Sequence, residues 1–165
     1  MSERDAGHLP VEHPVHVPAS IVQRVAGALV DGLLTSMVVV VPMLVGLIDV
    51  EDLEGPLPPV FVPALILFGA VYTIVPTALW GQTLGKIAVG SRVVVESDGS
   101  LPGWRRSFLR WALPGLLARL SYVGLVLTLA IIVSIVIDPL RRGLHDRVAG
   151  TIVVRVPRPS DPETR

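Results

Sequence analysis

The sequence predicts an all-α polytopic membrane protein: two full transmembrane helices plus a short helical hairpin, with a small cytoplasmic two-stranded β element. Three observations carry that prediction. Charged residues make up only 17% of the 165 positions, against 51% hydrophobic, and they are segregated. Stretches 32–48, 55–85 and 120–137 hold no charge, and they approach or exceed the roughly 20 apolar residues that a bilayer-crossing helix needs. Two β-branched runs, Arg92–Glu96 and Thr151–Val156, lie in the more polar remainder. Their backbones can be satisfied by pairing with each other outside the hydrocarbon layer.

Taken in order, residues 1–18 mix charges, three histidines and three prolines. They read as a disordered tail, without the apolar core and small-residue cleavage site of a signal peptide. His13 and His16 are too few to make a metal site. Pro18-Ala19-Ser20 opens the first helix, expected over Ser20 to Ile48. The loop Asp49–Pro59 carries Asp49, Glu51, Asp52 and Glu54 and no basic residue. A second spanning helix is expected from Val60 to Trp80, with Trp80 at the aromatic belt of the interface. Gly81, Gly85 and Gly90 allow tight turns and close approach where the chain leaves that helix, and Lys86 is read as an anchor among the headgroups.

Trp104 to Ile137 is 34 residues, too short for two full spans and a turn. A hairpin of short or tilted helices turning near Ser121–Gly124 is one solution. One interfacial helix plus one full span is the other, and it would put the C-terminus outside. Pairing of the two strands favours the hairpin. Residues 157–165 read as a second tail, leaving 19–156 as the membrane domain.

Orientation follows from arginine placement. Lys86–Arg110 and Arg141–Arg158 are basic and should face inward, the acidic loop outward. That gives a multi-pass protein of the inner (plasma) membrane with both termini cytoplasmic. The absence of cysteine excludes disulfides, iron–sulfur clusters and thiolate metal sites. Equal numbers of basic and acidic residues, 14 of each, argue against nucleic-acid binding. GQTLGK, residues 81–86, is not a phosphate loop: three residues rather than four separate its glycines, and Ile87 follows the lysine. No cofactor or resident metal is expected. His145 and Asp146 lack a nucleophile partner, so no enzyme is expected either.

The informative charges lie in QRVAGALVDGLL, residues 23–34. Arg24 and Asp31 are seven apart, so they share one helix face about 10 Å from each other along the axis. Arg24 sits within a turn of the membrane surface, where it either snorkels outward as an anchor or pairs with another residue or an anionic lipid. Asp31 is deeper and short. An aspartate near mid-membrane costs about 2.5–3.5 kcal/mol on insertion scales, so it needs a partner. Arg110, Arg119 and Arg141 are the candidates. The result is either a buried salt bridge that fastens the bundle or a protonatable, cation-binding site. Arg119 faces the same alternatives of interhelix pairing or interfacial exposure. Arg141, Arg142, His145 and Asp146 form a polar cluster past the last helix. There Asp146 can accept from backbone amides or an arginine, and His145 can titrate near neutral pH.

Three segments in this order resemble a family: Arg24 with Asp31 in the first helix, GQTLGKIAVGSRVV at 81–94 and RRGLHDRVAGTIVV at 141–154. The chain is similar over residues 20–156 to the RDD family of small membrane proteins, named for one arginine and two aspartates. By position these map to Arg24, Asp31 and Asp146, with Asp138 the alternative for the last. The resemblance implies the architecture and leaves activity open, with ion or small-solute transport suggested for some members. Two readings follow. The first is a small transport component, homo-oligomeric because one protomer is too thin to enclose a path, in which Asp31 handles a proton or cation. The second is a non-transporting membrane anchor or accessory subunit that recruits a cytoplasmic partner. Either way the lipid bilayer, anionic lipids included, is the expected surrounding.

Overall fold

The computed structural model describes residues 17–46, 48, 59–116 and 121–156. In chain order the elements are α1 (Ile21–Leu44), α2 (Phe61–Trp80), α3 (Leu84–Ala88), β1 (Ser91–Val95), α4 (Gly103–Leu116), α5 (Ser121–Ile137), α6 (Leu144–Ala149) and β2 (Thr151–Arg155).

The start of α1 is fixed by a capping box. The Ser20 hydroxyl accepts the Gln23 N–H at 3.1 Å, and the Gln23 side chain accepts the Ser20 N–H at 3.0 Å, satisfying two orphan amides reciprocally. At 1.5 Å per residue α1 is about 36 Å long and α2 about 30 Å. Both are long and apolar enough to cross a membrane. They touch each other little. Leu29 and Leu33 on α1, and Leu67 and Val71 on α2, are more than half exposed. A helix apolar on its outward faces needs lipid or another helix against it. The first helix stops at Leu44, short of the expected Ile48, where Val45 and Gly46 break the pattern and Gly46 takes φ +70°. Apart from Pro59, the acidic loop lies outside the described residues.

Two short helices follow, about 21 Å (α4) and 26 Å (α5) long. Helix α4 packs along α2, with small buried residues on both, Ser107 on one and Thr77 and Ala78 on the other. Such residues let helix backbones approach closely. Trp111 shares a groove with Gly32, Thr35, Leu65 and Phe68, so α4 runs beside the middle of the long helices. Helix α5 leads back to α6 and β2. The 103–137 segment is thus a pair of short helices whose outer ends both join the sheet region. The turn is displaced from its expected place: Ser121–Gly124 is the first turn of α5, consistent with serine favouring helix starts and glycine being tolerated in apolar helices. Residues 117–120, Arg119 among them, lie outside the described residues.

The sheet caps one end. Strands β1 and β2 pair antiparallel, with Val93 opposite Val153. Ala19, Val93 and Val153 pack as one buried cluster; Val94, Ile152 and Val154 pack as another, with Leu140 against them. Burial on both faces explains why both strands read as continuous apolar runs rather than alternating ones. The outer edge of β2 is covered by residues 17–19: Ala19 N–H donates to Val153 and Arg155 N–H to Val17, each at 2.9 Å. Val17 and Pro18, expected at the end of a disordered tail, are therefore docked, because a bare strand edge leaves amides and carbonyls to satisfy. Helix α2 feeds directly into this cap through Gly81, at φ +69°, whose carbonyl accepts the Val93 N–H at 2.7 Å. A side chain at Gly81 would place its Cβ 2.5 Å from the Val93 carbonyl oxygen.

Candidate functional site: two carboxylates and the cavity between them

Helix α1 meets α3 along a stripe of every fourth residue. The Gln23 side-chain amide donates to the Val89 carbonyl at 3.1 Å. Gly27 is buried against Gly85, and a Cβ on Gly85 would collide with the Gly27 carbonyl oxygen and lie 2.7 Å from the Asp31 Cγ. This glycine crossing lets the Asp31 carboxylate reach the start of α3. There it accepts the Gly85 N–H at 2.8 Å and the Thr83 hydroxyl at 2.5 Å. From α2 the Tyr72 hydroxyl donates to it at 2.6 Å. The Lys86 ammonium lies 3.6 Å away and also donates to the Thr83 hydroxyl at 3.0 Å.

The partner of Asp31 is therefore Lys86, not Arg110 or Arg141. The reason is the turn after α2, which folds α3 back onto α1. For the same reason Lys86 is not a headgroup anchor, its side chain being only 18% exposed. Its pKa is pulled from 10.5 to about 8 by burial first and then by Arg110, with Asp31 opposing the shift.

The second carboxylate, Asp146 on α6, is wholly buried. It accepts the Gly143 N–H at 3.0 Å and Arg24 Nη1 at 2.9 Å, and Arg110 from α4 sits against its other oxygen. Arg24 also donates to the Val153 carbonyl at 3.3 Å, and Arg110 to the Thr151 hydroxyl at 3.2 Å. One carboxylate thus ties α1, α4, α6 and β2 together. Arg24 does not snorkel outward; its side chain is 8% exposed and turned into this knot. Arg24 is also not paired with Asp31, in keeping with their separation along α1.

Beside Asp31 and the two arginines that hold Asp146 lies a cavity of about 290 Å³, lined among others by Gln23, Arg24, Asp31, Thr73, Lys86, Arg110 and His145. His145 does not titrate near neutral pH as expected. Burial first, then the charges of Arg110, Arg24 and Lys86, hold its pKa well below 6.5, so the imidazole is neutral. The remaining residues singled out in the sequence lie outside the cavity. Asp138 accepts the Leu140 N–H at 2.8 Å and pairs with Arg142 at 3.2 Å, and Arg142 bridges on to Glu96. Arg141 adopts φ +54° in the turn after α5.

Sequence reasoning missed Tyr72, Thr83 and the pairing of Arg110 with Asp146. Thr83 carries a signal, being the one hydroxyl in GQTLGK. Tyr72 carries almost none, since an aromatic in an apolar helix is ordinary.

Residues 18–150 match the model of the RDD family. The chain is also 32% identical over 143 residues to the uncharacterized protein YckC of Bacillus subtilis (strain 168), a match covering 84% of this chain and 85% of that one. No solved structure matches it.

Proposed function

The chain belongs to the RDD family, and from that premise we propose that it is a small oligomeric transport component of the plasma membrane, multi-pass, with both termini cytoplasmic. The basic character of Lys86–Arg110 and Arg141–Arg158 supports this orientation, and the length and composition of α1 and α2 support a membrane location. The sheet cap and the charged cavity then lie at the cytoplasmic end of the helices.

The observation that carries the transport reading is the Asp31–Lys86 pair on the wall of that cavity. Two of the donors to Asp31 are hydroxyls, from Tyr72 and Thr83, and a hydroxyl can turn from donor to acceptor without repacking. The carboxylate can therefore exchange its lysine for a proton or a small cation while the helices stay in place. With two long helices among the described residues, one protomer is too thin to enclose a path, and its exposed leucine faces are where copies would associate. The reading contains no catalytic step: Asp146 is held by Arg24 and Arg110, and His145 lies 3.5 Å from the same carboxylate.

A second reading has its own support. Asp31 receives three hydrogen bonds and an ammonium 3.6 Å away and needs nothing more, which is what a fastener in an anchor or accessory subunit would show. Proteoliposome flux of protons and monovalent cations separates the two. Transport predicts a flux that the Asp31→Leu/Lys86→Leu double variant abolishes. The fastener reading predicts no flux from the wild type and a double variant that folds and keeps its cellular role.

A further inference from the structure

The cavity has more positive charge than its carboxylates neutralise. Arg24, Lys86 and Arg110 line it. Against these three stand Asp31, also in the wall, and Asp146, which is shared between the two arginines. With His145 neutral, three minus two leaves one uncompensated positive charge. Among the described residues the next groups out add no net negative charge. Asp138 and Glu96 are taken by Arg142, Asp138 also lies 3.6 Å from Arg147, and Arg141 adds its charge near Arg24. That ring is again three cations to two carboxylates, in a chain whose net charge is zero.

Donor geometry points the same way. The Arg24 Nε–H is buried and has no partner among the described residues, and an unsatisfied guanidinium N–H in a buried place is unfavourable. Asp146 occupies Nη1 of Arg24 and Nη1 of Arg110, and the Val153 carbonyl takes Nη2 of Arg24, which leaves the Nε edge of the Arg24 fork open. Such forks match the oxygens of a phosphate or carboxylate.

We infer that this cavity is an oxyanion site, holding a phosphate group among Arg24, Lys86 and Arg110. The depressed pKa values of Lys86 and His145, each due in part to the neighbouring cations, fit a pocket that would be relieved by an anion. The volume of about 290 Å³ accommodates a phosphate with part of the molecule that carries it. The wall is built from the first turns of α1, the start of α3, α4 and the sheet, where the long helices meet the cap. A lipid phosphate and a free phosphate solute both reach that depth if the cap faces the cytoplasm. The inference rests on the proposed function only in taking this cavity as the site, and it concerns binding rather than flux, so either can fail alone.

The test is thermal unfolding of the full chain in neutral maltoside micelles. One arm titrates inorganic phosphate against potassium chloride at equal ionic strength. The other adds phosphatidylglycerol against phosphatidylcholine. A ligand that binds only the folded state raises the melting temperature with its concentration. A rise with phosphate but not chloride identifies a free oxyanion, and a rise with phosphatidylglycerol alone identifies a lipid headgroup. Either supports the site, provided Lys86→Gln weakens binding by roughly tenfold and Lys86→Arg restores it. Lys86 is preferred to Arg24 because it lies outside the Asp146 knot, so its variants should fold. No rise in either arm, or the same rise in Lys86→Gln as in the wild type, overturns the inference.

Discussion

The carboxylates of Asp146 and Asp31 sit in different surroundings. Asp146 is wholly buried and held by two arginines and an amide, charges that cannot be discharged in a protein and donors that cannot turn round. Asp31 is 17% exposed and held by one lysine, two rotatable hydroxyls and an amide. The first arrangement is rigid and joins four elements. The second is adjustable and opens on a cavity. On the proposed function, the fold rests on one aspartate and transport on the other, and each part of that contrast can be broken.

The largest effect is expected at Asp146. Asp146→Ala would leave Arg24 and Arg110 buried without a counter-charge, and breaking a buried pair in this way costs about 3–5 kcal/mol. Against a typical stability of roughly 5–15 kcal/mol, the variant should fail to accumulate or should melt far below the wild type in detergent. Next comes Gly85→Ala, whose Cβ would collide with the Gly27 carbonyl oxygen and press on the Asp31 carboxylate. Overpacking of this kind costs about 1–3 kcal/mol, and separation of α1 from α3 should show as faster proteolysis in the 81–90 segment. Tyr72→Phe removes one hydrogen bond to a charged group, worth about 1.5 kcal/mol. Its unfolding loss should be smaller than that of either variant above, while any Asp31-dependent flux changes.

The smallest expected effect is an absence. The folded His145 has a pKa well below 6.5, so its ring proton resonances should not move between pH 8 and 6.5, while those of a free histidine begin to shift. The unfolded chain takes up that proton near its ordinary pKa of about 6.5. This site therefore supports stability above that pH and withdraws the support as the pH falls below it.

The long helices and the strands were legible because their patterns are local. Three uncharged runs gave α1, α2 and α5, and two β-branched runs gave the sheet with its ends shifted by a residue. The shared face of Arg24 and Asp31 followed from seven-residue spacing alone. Their partners did not, because partners depend on how the chain folds back. Lys86 reaches Asp31 only through the Gly27–Gly85 crossing, and the Gly85 amide that Asp31 accepts is 54 positions away. A sequence signal did exist in the stripe Gln23, Gly27, Asp31, polar or small at every fourth position, which marks the face that meets α3. Arg110 is a candidate for Asp31 in the sequence because an aspartate at that depth needs a basic partner from another helix. The sequence holds no sign that α4 directs it to Asp146 instead.

One paired measurement tests the division between the two aspartates most directly: the unfolding midpoint and the ion or proton flux of purified Asp31→Asn, set beside the wild type in the same lipid. Asparagine keeps the shape and one acceptor, and the Thr83 and Tyr72 hydroxyls can turn to meet its amide. The account predicts a midpoint close to that of the wild type and a flux that is lost. A midpoint that falls as far as that of the Asp146 variant, with flux declining only in proportion to folded protein, would make Asp31 a second fastener and contradict the account.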